Sequence, residues 1–188
     1  MDRAELARFI DRETIEYVRT YPHPIDRVWR AITERAEFEQ WFMPGEIELR
    51  EGGAYWLNGP EWTGKVLAIE PPRLIRLGAT TPEGAPFWFQ YELAAALGGT
   101  RMRFIVHNEP GWRYLPLDAE QGGDLPAGED TPYRPGTLGG WHEFWDALGR
   151  YLDGAALGDR DARWRELTGI YRTHIVEAFP AADIAEPV

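Results

Sequence analysis

The chain is 188 residues long, 44% hydrophobic and 13% aromatic, and it carries a formal net charge of −11. This length and apolar content predict one folded domain that buries roughly 70% of the surface of its unfolded chain, not a disordered segment. The acidic charge disfavours nucleic acids and anionic membranes as partners, because both need clustered cations. No apolar run approaches the ~20 residues that span a bilayer, so membrane insertion is not expected.

Two nucleophilic residue types are missing from the chain, which contains neither cysteine nor serine. Disulfide bonds and catalysis by a Ser/His/Asp or Cys/His arrangement are therefore excluded. Lys65 is the only lysine, and its place in an alternating segment, on the face away from Val66, predicts a surface position. The polar N-terminus does not look like a secretory signal, and together with the lack of cysteine it predicts a cytoplasmic location.

The N-terminal part of the chain combines short helices with one strand. Residues 2–11 are expected to form at most a short amphipathic helix. The segment TIEYVRTY (14–21) alternates and is rich in β-branched and aromatic residues, which predicts a strand. Apolar residues then recur at helical spacing over 25–32, which predicts a helix. A second short helix is expected to carry Trp41.

Between residues 46 and 108 the hydrophobic pattern changes to a period of two, which is typical of strands. Turn-forming segments rich in Gly and Pro separate the alternating runs, and such short connections predict antiparallel neighbours in a meander. The six predicted strands are EIELR (46–50), AYWLN (54–58), EWTGKVLAIE (61–70), RLIRLGA (73–79), PFWFQYELAAA (86–96) and TRMRFIVHN (100–108).

One long loop and two helices are predicted in the rest of the chain. Residues 109–136 are rich in Pro, Gly and acids, which is typical of a functional loop or an insertion, and the acids are expected to be solvated. The stretch GGWHEFWDALGRYL (139–152) has apolar residues at helical spacing and predicts a long helix. A last helix over 159–179 presents Trp164 and Tyr171 on an apolar face, which must pack on its own sheet or across the interface of a homodimer.

Five segments, taken in order, resemble the heat-shock-protein-90 ATPase activator homologue-like family. They are PIDRVWRAITERAEFEQWF, ELREGGAYWL, GKVLAIEPPRLIRL, FQYELAAALGGTRMRFIVHNEPGW and GGWHEFWDALGRYL. The resemblance covers residues 14–154. It implies the helix-grip fold of the superfamily that also holds START domains, the birch-pollen allergen and aromatic polyketide cyclases.

The expected fold class is therefore α+β. A curved antiparallel sheet of about seven strands wraps around a long C-terminal helix, with two short helices after the first strand and an extra terminal helix. Residues 1–188 form a single domain in this interpretation, with the helix-grip core at 14–154 and an N-terminal extension at 1–13.

The resemblance also implies a cavity between the sheet and the long helix. Alternation along the strands places aromatic and aliphatic residues on the face that the helix stripe would cover. Walls of this kind suit a hydrophobic or aromatic small molecule, although the same residues would equally make a solid core. The predicted ligand-binding residues are Trp41, Tyr55, Leu57, Phe89, Tyr91, Phe104, Trp141, Trp145 and Leu148.

Two histidines, His142 and His107, are candidates for a functional site. His142 and Asp146 lie one helical turn apart in a near miss of the metalloprotease motif H-E-x-x-H, but no third ligand is evident. A solvent-facing His–Asp pair is expected, and no metal. His107 ends the last strand on the face opposite Phe104, so it is expected to lie outside the cavity and to stabilise the entry to the long loop.

Three functions remain open. The favoured one is binding of a hydrophobic small molecule, with no cofactor and no strong catalytic motif. The second is a cyclase or hydrolase that uses the same cavity, with His107, Tyr55, Tyr91 and Glu92 as candidate groups. The third, implied only by the resemblance, is a co-chaperone of the ATPase. The chain shows no additional N-terminal binding domain, so a chaperone partner is not expected.

Overall fold

The computed structural model describes residues 5–11, 13–59, 62–80, 86–108 and 135–178. A curved antiparallel sheet organises these residues, and its strand order is β1-β2-β8-β7-β6-β5-β4-β3. The strands are β1 (Arg8–Phe9), β2 (Thr14–Tyr21), β3 (Gly45–Ile47), β4 (Ala54–Leu57), β5 (Trp62–Glu70), β6 (Leu74–Thr80), β7 (Pro86–Ala96) and β8 (Gly99–Asn108).

Strands β3 to β8 form the predicted meander, because each of them pairs with the next along the chain. The tightest connection joins β7 to β8 through Gly98, whose φ of 81° is a conformation that favours glycine. Strand β2 pairs antiparallel with β8, with Thr14 opposite His107 at one end and Tyr21 opposite Thr100 at the other. All six strands predicted from alternation are therefore confirmed.

The N-terminal segment differs from the prediction. Arg8 and Phe9 pair with Glu16 and Ile15 of β2 as a two-residue edge strand, so the sheet has eight strands where about seven were expected. A helix of so few residues is marginal in water, whereas pairing with β2 satisfies backbone groups of both segments. The segment is also anchored by Leu6, which is buried in the core.

Four helices complete the described part of the chain: α1 (Ile25–Thr33), α2 (Arg35–Phe38), α3 (Pro135–Leu152) and α4 (Arg160–Ala178). Trp41, expected on the second helix, lies just beyond its end. Helix α3 begins at Pro135, so the last two residues of the predicted loop are helical, and 109–134 lie outside the described residues. None of the described helices is long and apolar enough to cross a membrane.

Helix α3 packs across one face of the sheet, which we call the inner face. Trp145 of α3 lies against Tyr91 of β7 and Phe104 of β8, with ring centroids 5.7 and 4.4 Å apart. The curved sheet with its long C-terminal helix is the helix-grip fold that the sequence implied.

Helix α4 covers the other side of α3. The indole N–H of Trp164 donates to the Gly136 carbonyl oxygen at 2.8 Å. The two helices approach closely at Gly139, where a Cβ atom would lie 3.0 Å from the backbone nitrogen of Thr168. The apolar face of the last helix is therefore buried within the chain, against α3, the N-terminal segment and Tyr17 of β2.

Candidate functional site

Aromatic rings from the sheet and from α3 meet in one continuous cluster on the inner face. Phe104 is central to it, because its ring lies 4.4 Å from Trp145 and 4.8 Å from Trp141 between centroids. Trp141 and Trp145 stack on each other at 6.0 Å. Trp41 reaches the same group from the loop after α2, 6.1 Å from Trp145. We call this the inner cluster.

Phe89 and Tyr55 extend the inner cluster towards the far edge of the sheet. Phe89 lies 5.9 Å from Trp141 and 6.1 Å from the ring of Tyr55. Tyr55 lies over Gly64 of β5, where a Cβ atom would come within 2.8 Å of the tyrosine ring and 1.9 Å of the Gly78 carbonyl oxygen. Glycine at position 64 is thus required both for the strand pairing and for the position of the Tyr55 ring.

The structure brings all nine predicted ligand-binding residues into one hydrophobic core. Seven of them are the aromatic residues whose rings meet as described, and the aliphatic Leu57 and Leu148 are buried in the same core. The rings touch one another directly, so a molecule bound here would take the place of some of these ring contacts.

The inner cluster continues to the surface at one end, around Trp141. Trp62 at the start of β5 stacks on Trp141 at 5.8 Å and lies 6.0 Å from Phe87. On the other side, Phe42 lies 6.4 Å from Trp141 and 4.4 Å from Phe144. Trp62, Phe87 and Phe144 are each half-buried, and we call these three rings the rim.

The nine predicted ligand-binding residues do not include the rim. A signal for Trp62 existed, since the period of two places it on the same face as Val66, which is buried. Phe144 lies beside the apolar stripe of α3 that carries Trp141 and Trp145. Phe42 contacts the cluster because the chain turns after α2. No hydrophobic pattern in the sequence predicts the shape of that turn.

Two hydrogen-bond donors in the inner cluster lack a partner in the described part of the chain: the hydroxyl of Tyr55 and the indole N–H of Trp145. Burial raises the pKa of Tyr55 well above its usual value, so this hydroxyl keeps its proton. By contrast, the indole N–H of Trp41 donates to the Ala31 carbonyl oxygen at 2.9 Å.

The four groups considered for catalysis do not converge. His107 lies on the outer face, as predicted, where its Nδ1 is 2.8 Å from the Thr14 hydroxyl and its ring stacks on Trp88 at 5.1 Å. Glu92 shares that face and accepts a hydrogen bond from Arg103 at 3.0 Å. Tyr55 and Tyr91 are on the inner face, so the sheet separates the two pairs.

The prediction of a solvent-facing His142–Asp146 pair is wrong. Helix α4 covers this side of α3, and His142 is completely buried. Its Nδ1 is hydrogen-bonded to the Tyr171 hydroxyl at 2.9 Å, and its Nε2 lies 3.6 Å from Asp146. Burial is the main cause that lowers the pKa of His142 to about 3, followed by the charges of Arg19 and Arg163.

No group of three His, Asp or Glu side chains suited to a metal ion occurs among the residues that the structure describes. Lys65 is exposed, as its strand position predicted. It borders an open cleft of about 520 Å³ on β3 to β5. Tyr55 is the only predicted ligand-binding residue that contributes to this cleft. Its other lining residues are Glu46, Glu48, Ala54, Trp56, Thr63, Gly64 and Lys65.

Residues 22–153 match the sequence profile of the family described as Activator of Hsp90 ATPase homolog 1-like protein. The chain belongs to this family. The matched region runs from the end of β2 to the end of α3, so it includes every residue of the inner cluster and the rim. No protein of curated function is significantly similar to this family member in sequence.

Solved structures share the fold at low sequence identity. CalU16 from Micromonospora echinospora is 20% identical with a TM-score of 0.62, over 92% of this chain and 95% of that one. A conserved protein of unknown function from Enterococcus faecalis is 18% identical with a TM-score of 0.63, over 92% and 91%. DynU16, a protein of the dynemicin biosynthetic locus, is 18% identical with a TM-score of 0.57, over 77% of this chain and 49% of its own.

Proposed function

We propose that this activator-homologue-like protein binds a hydrophobic or aromatic small molecule between the inner face of the sheet and α3. The observation that carries the proposal is the continuity of the aromatic surface. It runs from Trp145, which is fully buried, through Trp141 to the half-buried rings of the rim.

A single half-exposed ring at the border of a core is ordinary, whereas a contiguous group of half-exposed aromatic rings is typical of a ligand-binding groove. The rim supplies such rings from three elements: Trp62 from β5, Phe87 from β7 and Phe144 from α3. A ligand that enters between them would exchange the Trp62–Trp141 stacking for contacts with its own ring system. Tryptophan and phenylalanine offer large, stiff contact areas for that purpose.

DynU16, which shares the fold, is a protein of the dynemicin biosynthetic locus. The enzyme alternative receives no comparable support. Its charged candidates, His107 and Glu92, lie on the outer face, and the inner cluster holds no acid–base pair among the described residues.

Binding is tested with a neutral aromatic fluorophore, N-phenyl-1-naphthylamine, titrated into protein that has been purified without detergent. We expect saturable binding of one molecule per chain. Replacing Trp62 by alanine should weaken it at least about 10-fold, because the rim loses its central ring. Native mass spectrometry of the same preparation would show any co-purified molecule and any homodimer.

The matched control is Trp56→Ala. Trp56 and Trp62 are both half-buried on neighbouring strands, but Trp56 pairs with Glu46 and Thr63 on the outer face, where Arg35 lies 5.7 Å from its ring centroid. This variant should bind the fluorophore like the unmodified protein. Absence of saturable binding, or equal weakening by the two substitutions, contradicts the proposed site.

A further inference from the structure

Several buried hydroxyl and indole groups among the described residues have hydrogen-bond partners. Tyr17 donates to the Leu138 carbonyl oxygen at 2.9 Å, and Tyr21 donates to the Trp145 carbonyl oxygen at 3.1 Å. The Tyr171 hydroxyl accepts from the Ala7 backbone N–H at 2.9 Å. Such pairing is the general rule for buried polar groups, since an unpaired one costs roughly 1–3 kcal/mol.

Tyr55 and Trp145 break this rule in the inner cluster. Both side chains are buried, and neither the Tyr55 hydroxyl nor the Trp145 Nε1 has a hydrogen-bond partner within the described residues. The two rings are connected through two other rings on the inner face. Trp145 packs on Phe104, Tyr55 packs on Phe89, and Phe89 and Phe104 lie 6.0 Å apart.

The other buried atoms without a partner have a different setting. Nε2 of His142 lies 3.6 Å from the Asp146 carboxylate, and the Arg19 guanidinium already donates to the Glu5 carbonyl oxygen through its other terminal nitrogen. These atoms sit among charged and polar neighbours. Tyr55 and Trp145 sit among aromatic rings, and neither donor has a hydrogen-bond partner in the described part of the chain.

From these contacts we infer that the ligand is an aromatic ketone or a related aromatic carbonyl compound, whose oxygen atoms accept hydrogen bonds from Tyr55 and Trp145. The inference rests on the proposed function and specifies the chemistry of its ligand. Both groups are suited to it, because an indole N–H only donates and a protonated phenol donates readily. The ring system of the ligand would lie against Phe89 and Phe104, and its carbonyl oxygen would remove the cost of the unpaired donors.

The test compares two ligands of matched shape, 9-fluorenone and fluorene, which differ in one carbonyl oxygen. Each displaces N-phenyl-1-naphthylamine from the full chain, and the measured quantity is the ratio of their affinities. We expect fluorenone to bind at least about 5-fold more tightly, since one net hydrogen bond corresponds to roughly a 2- to 10-fold change in affinity.

Two variants then remove the donors and keep a ring in place. Tyr55→Phe and Trp145→Phe should each lower the preference for fluorenone by about 3-fold or more and leave the affinity for fluorene nearly constant. Tyr17→Phe is the control, because the hydroxyl it removes is already bonded to the Leu138 carbonyl oxygen, so the preference should persist. Folding of all three variants is checked by urea denaturation.

The possible failures are distinguishable. If both compounds bind with equal affinity, or if neither donor substitution changes the preference, the inference about the carbonyl group is overturned and the proposed function stands. If neither compound displaces the fluorophore and the fluorophore itself does not bind, the proposed function fails and the inference fails with it.

Discussion

The two sides of helix α3 make different kinds of contact with their neighbours. Towards the sheet, Trp141 and Trp145 stack among aromatic rings, and the indole N–H of Trp145 has no partner within the described residues. Towards α4, the helix is held by polar contacts such as those between His142 and Tyr171 and between Asp146 and Arg163. We conclude that the α4 side fixes the helix in place, while the sheet side keeps contacts that a ligand can exchange.

The contrast is sharpest between equivalent groups. Trp164 on the α4 side donates its indole N–H to the Gly136 carbonyl oxygen, whereas the N–H of Trp145 has no acceptor in the described part of the chain. Tyr171 on the α4 side accepts from Ala7 and is hydrogen-bonded to His142, whereas the hydroxyl of Tyr55 has no partner among the residues that the structure describes. The following substitutions probe this difference, beginning with the largest expected effect.

Truncation of Trp145 to alanine should lower the free energy of unfolding by about 3–5 kcal/mol, because it leaves a cavity beside Phe104 and Tyr91. Urea denaturation measures the change. Trp56→Ala on the outer face should cost at most about 1 kcal/mol. Equal losses from the two substitutions would show that the inner cluster is not the core of the domain.

Acid should destabilise the α3–α4 interface through His142. Burial lowers the pKa of this histidine from 6.5 to about 3, so between these pH values the unfolded chain binds a proton that the folded chain does not. The contribution of neutral His142 is therefore complete above about pH 6.5 and is lost as the pH falls through this window, at up to about 1.4 kcal/mol per pH unit.

The variant His142→Gln removes this titration. Between pH 7 and pH 4.5 the unfolding free energy of the unmodified protein should fall by about 2–3 kcal/mol more than that of the variant. Urea denaturation at the two pH values gives the difference. Parallel pH dependence of the two proteins would mean that His142 is accessible to protons in the folded state.

Removal of the Tyr171 hydroxyl should cost more stability than removal of the Tyr55 hydroxyl. Tyr171→Phe leaves the Ala7 N–H and the His142 Nδ1 unpaired in the interior, at an expected cost of about 1–3 kcal/mol. Tyr55→Phe breaks no hydrogen bond and should change the unfolding free energy by less than about 0.5 kcal/mol. Thermal unfolding of both variants under the same buffer conditions decides whether this asymmetry exists.

A small effect is also expected for the ion pair between Arg163 and Asp146. Both side chains are about one-fifth exposed, and their charged atoms lie 2.7 Å apart. Arg163→Gln should cost less than about 1 kcal/mol, and the cost should shrink further in 1 M salt because the ions screen the pair. A larger, salt-independent loss would instead indicate that the arginine contributes mainly by packing.

Much of the fold was predictable because alternation and helical spacing report directly on burial. The period of two placed Phe104 on the inner face and His107 on the outer face, and the structure confirms both positions. The spacing of Trp141 and Trp145 likewise identified the side of α3 that meets the sheet.

The structure differs from the sequence-based predictions where a hydrophobic pattern identifies a buried surface but does not identify the element that packs against it. The two residues of β1 are too few to show a period, so only the pairing with β2 reveals the strand. The apolar face of α4 could be recognised, but that it covers His142 could not, since nothing in the spacing says which surface it meets. Whether the hydrogen-bond donors of Tyr55 and Trp145 have partners among the described residues depends on which atoms surround them in the folded chain. No sequence pattern predicts this.

The most direct test of the account follows the tryptophan indole N–H signals by ¹⁵N–¹H NMR spectroscopy during addition of 9-fluorenone. We expect the Trp145 signal to move downfield as its N–H gains an acceptor, while the Trp164 signal, already bonded to the Gly136 carbonyl oxygen, stays in place. A Trp145 signal that does not respond while fluorenone binds, or an equal shift of both signals, would contradict the account.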